Sequence, residues 1–152
     1  MDTILCVVDM QYPFLQDEDS PYVREVVKAV VSARAAGRKI LLIEDACGCP
    51  THEEVREALH DYRNLSLLRK NQWDGSLQIE IELTKAKVTP GRLTACGAYA
   101  EQCVLATLCG LRERFPLTQL EILLKACVPA PVRKFTEQDW SRHARRLALT
   151  IS

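Results

Sequence analysis

The first apolar stretch of the chain, Thr3 to Val8, is short, rich in β-branched residues and almost free of polar positions, and it stops at Asp9. A run of this kind predicts a strand covered on both faces. From Tyr22 to Ala36, valine and alanine recur at helical spacing as far as Gly37, which predicts a helix with a glycine stop. The alternation then repeats. Lys39 to Ile43 reads as a second buried strand ending in Glu44 and Asp45. A loop with Cys47, Gly48, Cys49 and Pro50 follows, then a helix with Thr51 as cap and Glu54 as its capping-box partner. Leu65 to Leu68 reads as a third strand ending near Arg69 and Lys70.

Ser76 to Lys87 is amphipathic yet rich in isoleucine, which leaves strand open beside the favoured helix. Arg92 to Cys96 reads as a fourth strand, Gly97 as a turn, and Ala100 to Arg114 as a helix with an unusually apolar face. A fifth strand runs from Gln119 to Lys125, Pro129 and Pro131 mark a loop, and Thr136 caps a last helix ending near Ala148. Strands alternating with helices predict βαβ units. The expected architecture is an α/β, Rossmann-like three-layer sandwich, with a mostly parallel sheet of five or six strands and helices on both faces. In such sheets ligands bind beyond the carboxyl ends of the strands, where strand order reverses. Three ends carry chemistry: Asp9, Lys70, and the loop from Gly97 to Cys103.

Composition adds bounds. A chain of 152 residues, 47% hydrophobic, is expected to close one core, so residues 1–152 are expected to form a single domain. Lysine plus arginine balance aspartate plus glutamate, 20 against 20, so no overall field favours nucleic acid or an anionic membrane, and the expected partner is a small-molecule substrate. No apolar run approaches the roughly 18 residues of a membrane span and the start lacks a signal-peptide pattern, so a cytoplasmic location is expected. The seven cysteines are odd in number and several fall in buried segments, which predicts reduced thiols and not a disulfide framework. Cys47, Cys49 and His52 offer three donors in one loop, short of a complete zinc site; no metal and no cofactor is expected.

Leu5 to Phe14, reading LCVVDMQYPF, resembles the opening motif of the isochorismatase-like cysteine hydrolases. RKNQWDGS, from Arg69 to Ser76, is similar to the lysine segment of that family. GAYAEQCVLAT, from Gly97 to Thr107, resembles its nucleophile loop, and ILLKACVPA, from Ile122 to Ala130, its next strand. The resemblance implies a triad of Asp9, Lys70 and Cys103, with Cys103 as nucleophile, Asp9 as general base and Lys70 in support. It also implies a cis peptide between Ala98 and Tyr99, an oxyanion hole from the backbone N–H groups of Tyr99 and Cys103, and a substrate pocket with Gln11, Phe14, Trp73 and Tyr99.

The chemistry accounts for these residue types. A thiol is a weak nucleophile until ionised, and a helix N-terminus with a neighbouring ammonium favours the thiolate, so Cys103 is expected to be ionised. The implied reaction is hydrolysis of a small amide, or of an ester or vinyl ether. Two positions depart from the family pattern: Ala100 where threonine is usual, and Lys125 where aspartate is common on the strand exit. They keep open a catalytically inactive binding or scaffold module. A redox reading, pairing Cys103 with Cys47 or Cys49, is also open. The apolar helix after Cys103 suits a subunit interface, so a homo-oligomer is expected.

Overall fold

The computed structural model describes residues Met1–Ser152. Six strands form one sheet in the order β3-β2-β1-β4-β5-β6, every pair parallel. They are β1 (Asp2–Val8), β2 (Lys39–Asp45), β3 (Leu65–Lys70), β4 (Pro90–Ala98), β5 (Gln119–Val128) and β6 (Leu149–Ile151). Between them run α1 (Ser20–Ala35), α2 (Glu53–Leu59), α3 (Ser76–Ala86), α4 (Leu105–Arg114) and α5 (Glu137–Leu147). A five-residue π-helical turn, Ala100–Val104, leads into α4.

The apolar runs make the central strands: Ile4 to Val8, Ile40 to Ile43 and Leu93 to Ala98 are all buried, as a parallel sheet covered on both faces requires. From β1 the chain steps outward to β2 and β3, then crosses back to β4 and steps the other way. Right-handed crossovers therefore put α1 and α2 on one face and α3, α4 and α5 on the other, in accord with the packing of α1 on α2, α3 on α4, and α4 on α5. Strand order reverses between β1 and β4. The strand ends bearing Asp9 and the Gly97–Cys103 segment thus flank the switch point, and β3 delivers Lys70 two strands away from β1.

Two boundaries differ from the sequence pattern. Ala95 pairs with Ile122 but Gly97 pairs with Cys127, so β5 carries three more residues than β4 over that stretch and continues to Val128. Lys125 is therefore not the strand exit; it stands exposed on the α1 side of the sheet, near Glu25. The cap of α2 is His52, whose Nδ1 accepts from the Glu54 N–H at 3.2 Å, and not Thr51. Thr51 is buried, bridges to Gln11 in the backbone and donates its hydroxyl to Glu44. Ser76–Ala86 is helix, closed by Lys87 in the left-handed region.

Candidate active site

Asp9 is the first residue beyond β1 and takes a left-handed backbone conformation, φ 49°. Its N–H donates to the Ile43 carbonyl at 2.9 Å, which extends the parallel β1–β2 pairing by one bond and holds Asp9 at the switch point. Lys70, the last residue of β3, reaches in beneath the following loop. Its Nζ donates to Asp9 Oδ2 at 2.8 Å and to the Gln72 carbonyl at 3.0 Å. Both side chains are almost wholly buried, and Lys70 ranks among the largest fully buried side chains in the molecule. A buried ammonium needs such partners, because desolvating a charge costs several kilocalories per mole.

The other carboxylate oxygen, Asp9 Oδ1, is buried with no hydrogen-bond partner. Beside the pair lies Cys103, in the π-helical turn, close enough that Asp9 and Lys70 both bear on its titration. The turn is tight: Gln102 and Val104 both donate their N–H groups to the Tyr99 carbonyl, at 3.1 and 3.2 Å. The peptide between Ala98 and Tyr99 is cis. Gly97, φ +126°, makes room for this crossing, since a Cβ there would stand 2.0 Å from the Val8 carbonyl oxygen.

Electrostatics separate the roles of the two acidic groups. Burial raises the Asp9 carboxyl above its ordinary range, opposed by the hydrogen bond and charge of Lys70. The Cys103 thiol is pushed up to about 12, by burial first and by Asp9 next, with Lys70 pulling the other way. This overturns the expectation of an ionised Cys103. The ammonium and the helix start are outweighed by loss of water and by the neighbouring carboxylate, so the resting thiol is neutral and lies next to a base.

The aromatic residues implied for a pocket surround this centre unevenly. Phe14 and Tyr99 meet edge to face with ring centroids 6.0 Å apart, while Trp73 is 59% exposed on the loop after Lys70. Gln11 is buried and its amide is committed to the rim loop: Oε1 accepts from the Asp45 N–H at 2.7 Å, and Nε2 donates to the Cys49 carbonyl at 2.8 Å and the Asp45 carbonyl at 3.2 Å. No group of three or more His, Cys, Asp or Glu side chains converges as a metal cage. Thr107 was not singled out by the sequence. Four residues after Cys103, it accepts from the Gly75 N–H at 3.0 Å and so ties the nucleophile helix to the loop over Lys70. A polar residue on the apolar stripe of that helix was the available signal.

Superposition on solved structures follows the same lines. The nicotinamidase/pyrazinamidase of Bacillus subtilis matches over 100% of both chains with a TM-score of 0.79 and 12% identity. N-carbamoylsarcosine amidase from Thermoplasma acidophilum matches 100% of this chain and 96% of its own, with a TM-score of 0.80 and 17% identity. The chain has the isochorismatase-like fold. A third protein of comparable shape, an octameric Escherichia coli hydrolase of unknown specificity, covers 99% of this chain and 74% of its own, with a TM-score of 0.73 and 17% identity. No protein-family model matches the sequence, and a search of curated proteins finds no match. The isochorismatase-like fold thus carries the likeness, at identities that speak to architecture. No helix is long and apolar enough to cross a membrane.

Proposed function

We propose that the protein is a cytoplasmic cysteine hydrolase of a small amide, or of an ester or vinyl ether, with Cys103 as nucleophile, Asp9 as general base and Lys70 in support. The observation that supports this most is the buried Asp9–Lys70 pair, with one free carboxylate oxygen and a neutral thiol beside it at the switch point of the sheet. Amide hydrolysis is favoured because two proteins of this shape are a nicotinamidase and an N-carbamoylsarcosine amidase.

In the proposed sequence Asp9 Oδ1 takes the thiol proton as Cys103 sulfur attacks the carbonyl carbon. The oxyanion accepts the backbone N–H groups of Tyr99 and Cys103, where such donors are worth several kilocalories per mole in the transition state. The intermediate expels the amine, which leaves with the proton held by Asp9, and an acyl-enzyme remains. Asp9 then activates water, the acid departs and the thiol is restored. Lys70 holds the carboxylate in place and balances its charge throughout. Phe14, Tyr99 and Trp73 form the pocket wall, and Gln11 supports it from behind through the rim loop. The chemistry draws only on side chains and backbone of this chain, and the active form is a homo-oligomer.

A panel of small amides and cyclic imides followed by intact-protein mass spectrometry tests the reading. The wild type should show an acyl adduct and turnover; Cys103→Ala should show neither; Asp9→Asn should show at most a slow adduct without turnover. Full activity in Cys103→Ala would sink it. The second reading, a catalytically inactive binding module, is favoured by the burial of Cys103 and by Ala100. Ligand-dependent stabilisation without turnover on the same panel would select it.

A further inference from the structure

The loop from Ala130 to Phe135 crosses the carboxyl edge of the sheet next to the nucleophile turn, and both of its ends are bound to one side chain. Glu101 Oε2 accepts from the Ala130 N–H at 2.8 Å, and Glu101 Oε1 accepts from the Phe135 N–H at 3.1 Å. Glu101 belongs to the π-helical turn and precedes Cys103 by two residues. Ala130 is buried, so its N–H has no water to fall back on, whereas Val132, Arg133 and Lys134 are exposed. The loop separates two clefts. One, about 450 Å³, is lined by Phe14, Tyr99, Pro131 and Lys134; the other, about 490 Å³, by Glu101, Phe135 and Trp140.

We infer that Glu101 is a positioning residue, whose carboxylate locks the Ala130–Phe135 loop to the nucleophile turn so that the loop forms a fixed substrate wall of the cleft lined by Phe14 and Tyr99, beside the turn that carries Cys103. The inference rests on the hydrolase reading for its catalytic consequence, but the clamp itself is measurable without turnover. Bonds to a charged acceptor are the stronger class, and two on one carboxylate fix both ends of a six-residue loop at once. Glutamine in its place keeps one accepting oxygen and turns an amide N–H group toward a backbone donor, so one end must come free.

Trypsin supplies the first readout, because the loop offers Arg133 and Lys134 for cleavage. Glu101→Gln should be cut there about tenfold faster than wild type, as expected for loss of one charge-assisted hydrogen bond holding the closed loop. With a turned-over amide, KM should rise about tenfold while kcat stays within about threefold, the pattern of lost substrate positioning and not of lost chemistry. Equal cleavage overturns the clamp. Faster cleavage with unchanged KM overturns the substrate wall, and a fall in kcat at constant KM shows that Glu101 acts on the chemistry instead. If the wild type turns over nothing, the hydrolase reading fails separately, and iodoacetamide labelling of Cys103 replaces KM: labelling should quicken in Glu101→Gln, and an equal rate overturns the inference. Should Glu101→Gln not fold, Glu101→Asp, one methylene too short to reach both N–H groups, is read by the same assays with the same criteria.

Discussion

At the scale of single residues, the Asp9–Lys70 pair takes two charges almost wholly out of water, and it can be tested without knowing a substrate. Removing one member of a buried pair strands the other, so Lys70→Met should destabilise by about 3–5 kcal/mol at neutral pH. The deficit should depend on pH. Asp9 already has a carboxyl pKa raised by burial, and Lys70 is what holds it down, so losing Lys70 raises it further. A carboxyl raised on folding contributes stability that is present below its unfolded pKa of about 4 and is lost as pH climbs through the folded value. Lys70→Met should therefore lie closer to wild type at pH 5 than at pH 8 in denaturant midpoints, and the reverse order would contradict this placement of charge. Both residues were legible in the sequence because each ends an apolar strand. The neutral state of Cys103 was not, since it depends on how much water the folded chain removes from a thiol that merely looks like the start of a helix.

Among the elements, the β1–β4 contact carries the tightest requirement. Gly97 approaches the Val8 backbone so closely that a Cβ would sit 2.0 Å from the carbonyl oxygen and 2.7 Å from the nitrogen. Gly97→Ala must push the two central strands apart at the switch point, and its cost should exceed about 3 kcal/mol by chemical denaturation. A Gly97→Ala protein of wild-type stability would mean that the strands do not cross in this way. The strand-helix alternation was readable because buried parallel strands are continuous apolar runs. The additional residues of β5 were hidden: Leu123 and Leu124 continue the apolar run, and nothing in the pattern marks where the pairing with β4 slips. The short β6 was missed as well. Its three residues follow α5 after Ala148, and only their pairing with β5 makes them a strand. The cap of α2 moved by one position because the hydroxyl of Thr51 is spent on Glu44.

On the scale of the whole molecule, the apolar face of α4 no longer explains a homo-oligomer. Leu105, Leu108 and Leu111 are buried within the protomer, where α4 packs against α3 and α5. The large apolar side chains left outside instead include Trp73, Leu77 and Ile81, spaced four residues apart along the entry to α3 and its outer side. If subunits associate there, light scattering should give a mass above the 17.2 kDa of one chain, and Leu77→Asp should return it to that value. A monomeric wild type would end the proposal. The burial of Lys70 has a different use. An amine sealed from water cannot meet an acylating reagent, so in a lysine footprint the exposed Lys28, Lys85 and Lys87 would be marked early while Lys70 stays blank. Its modification would then clock the opening of the core itself, an internal stopwatch at the one amine the folded chain conceals.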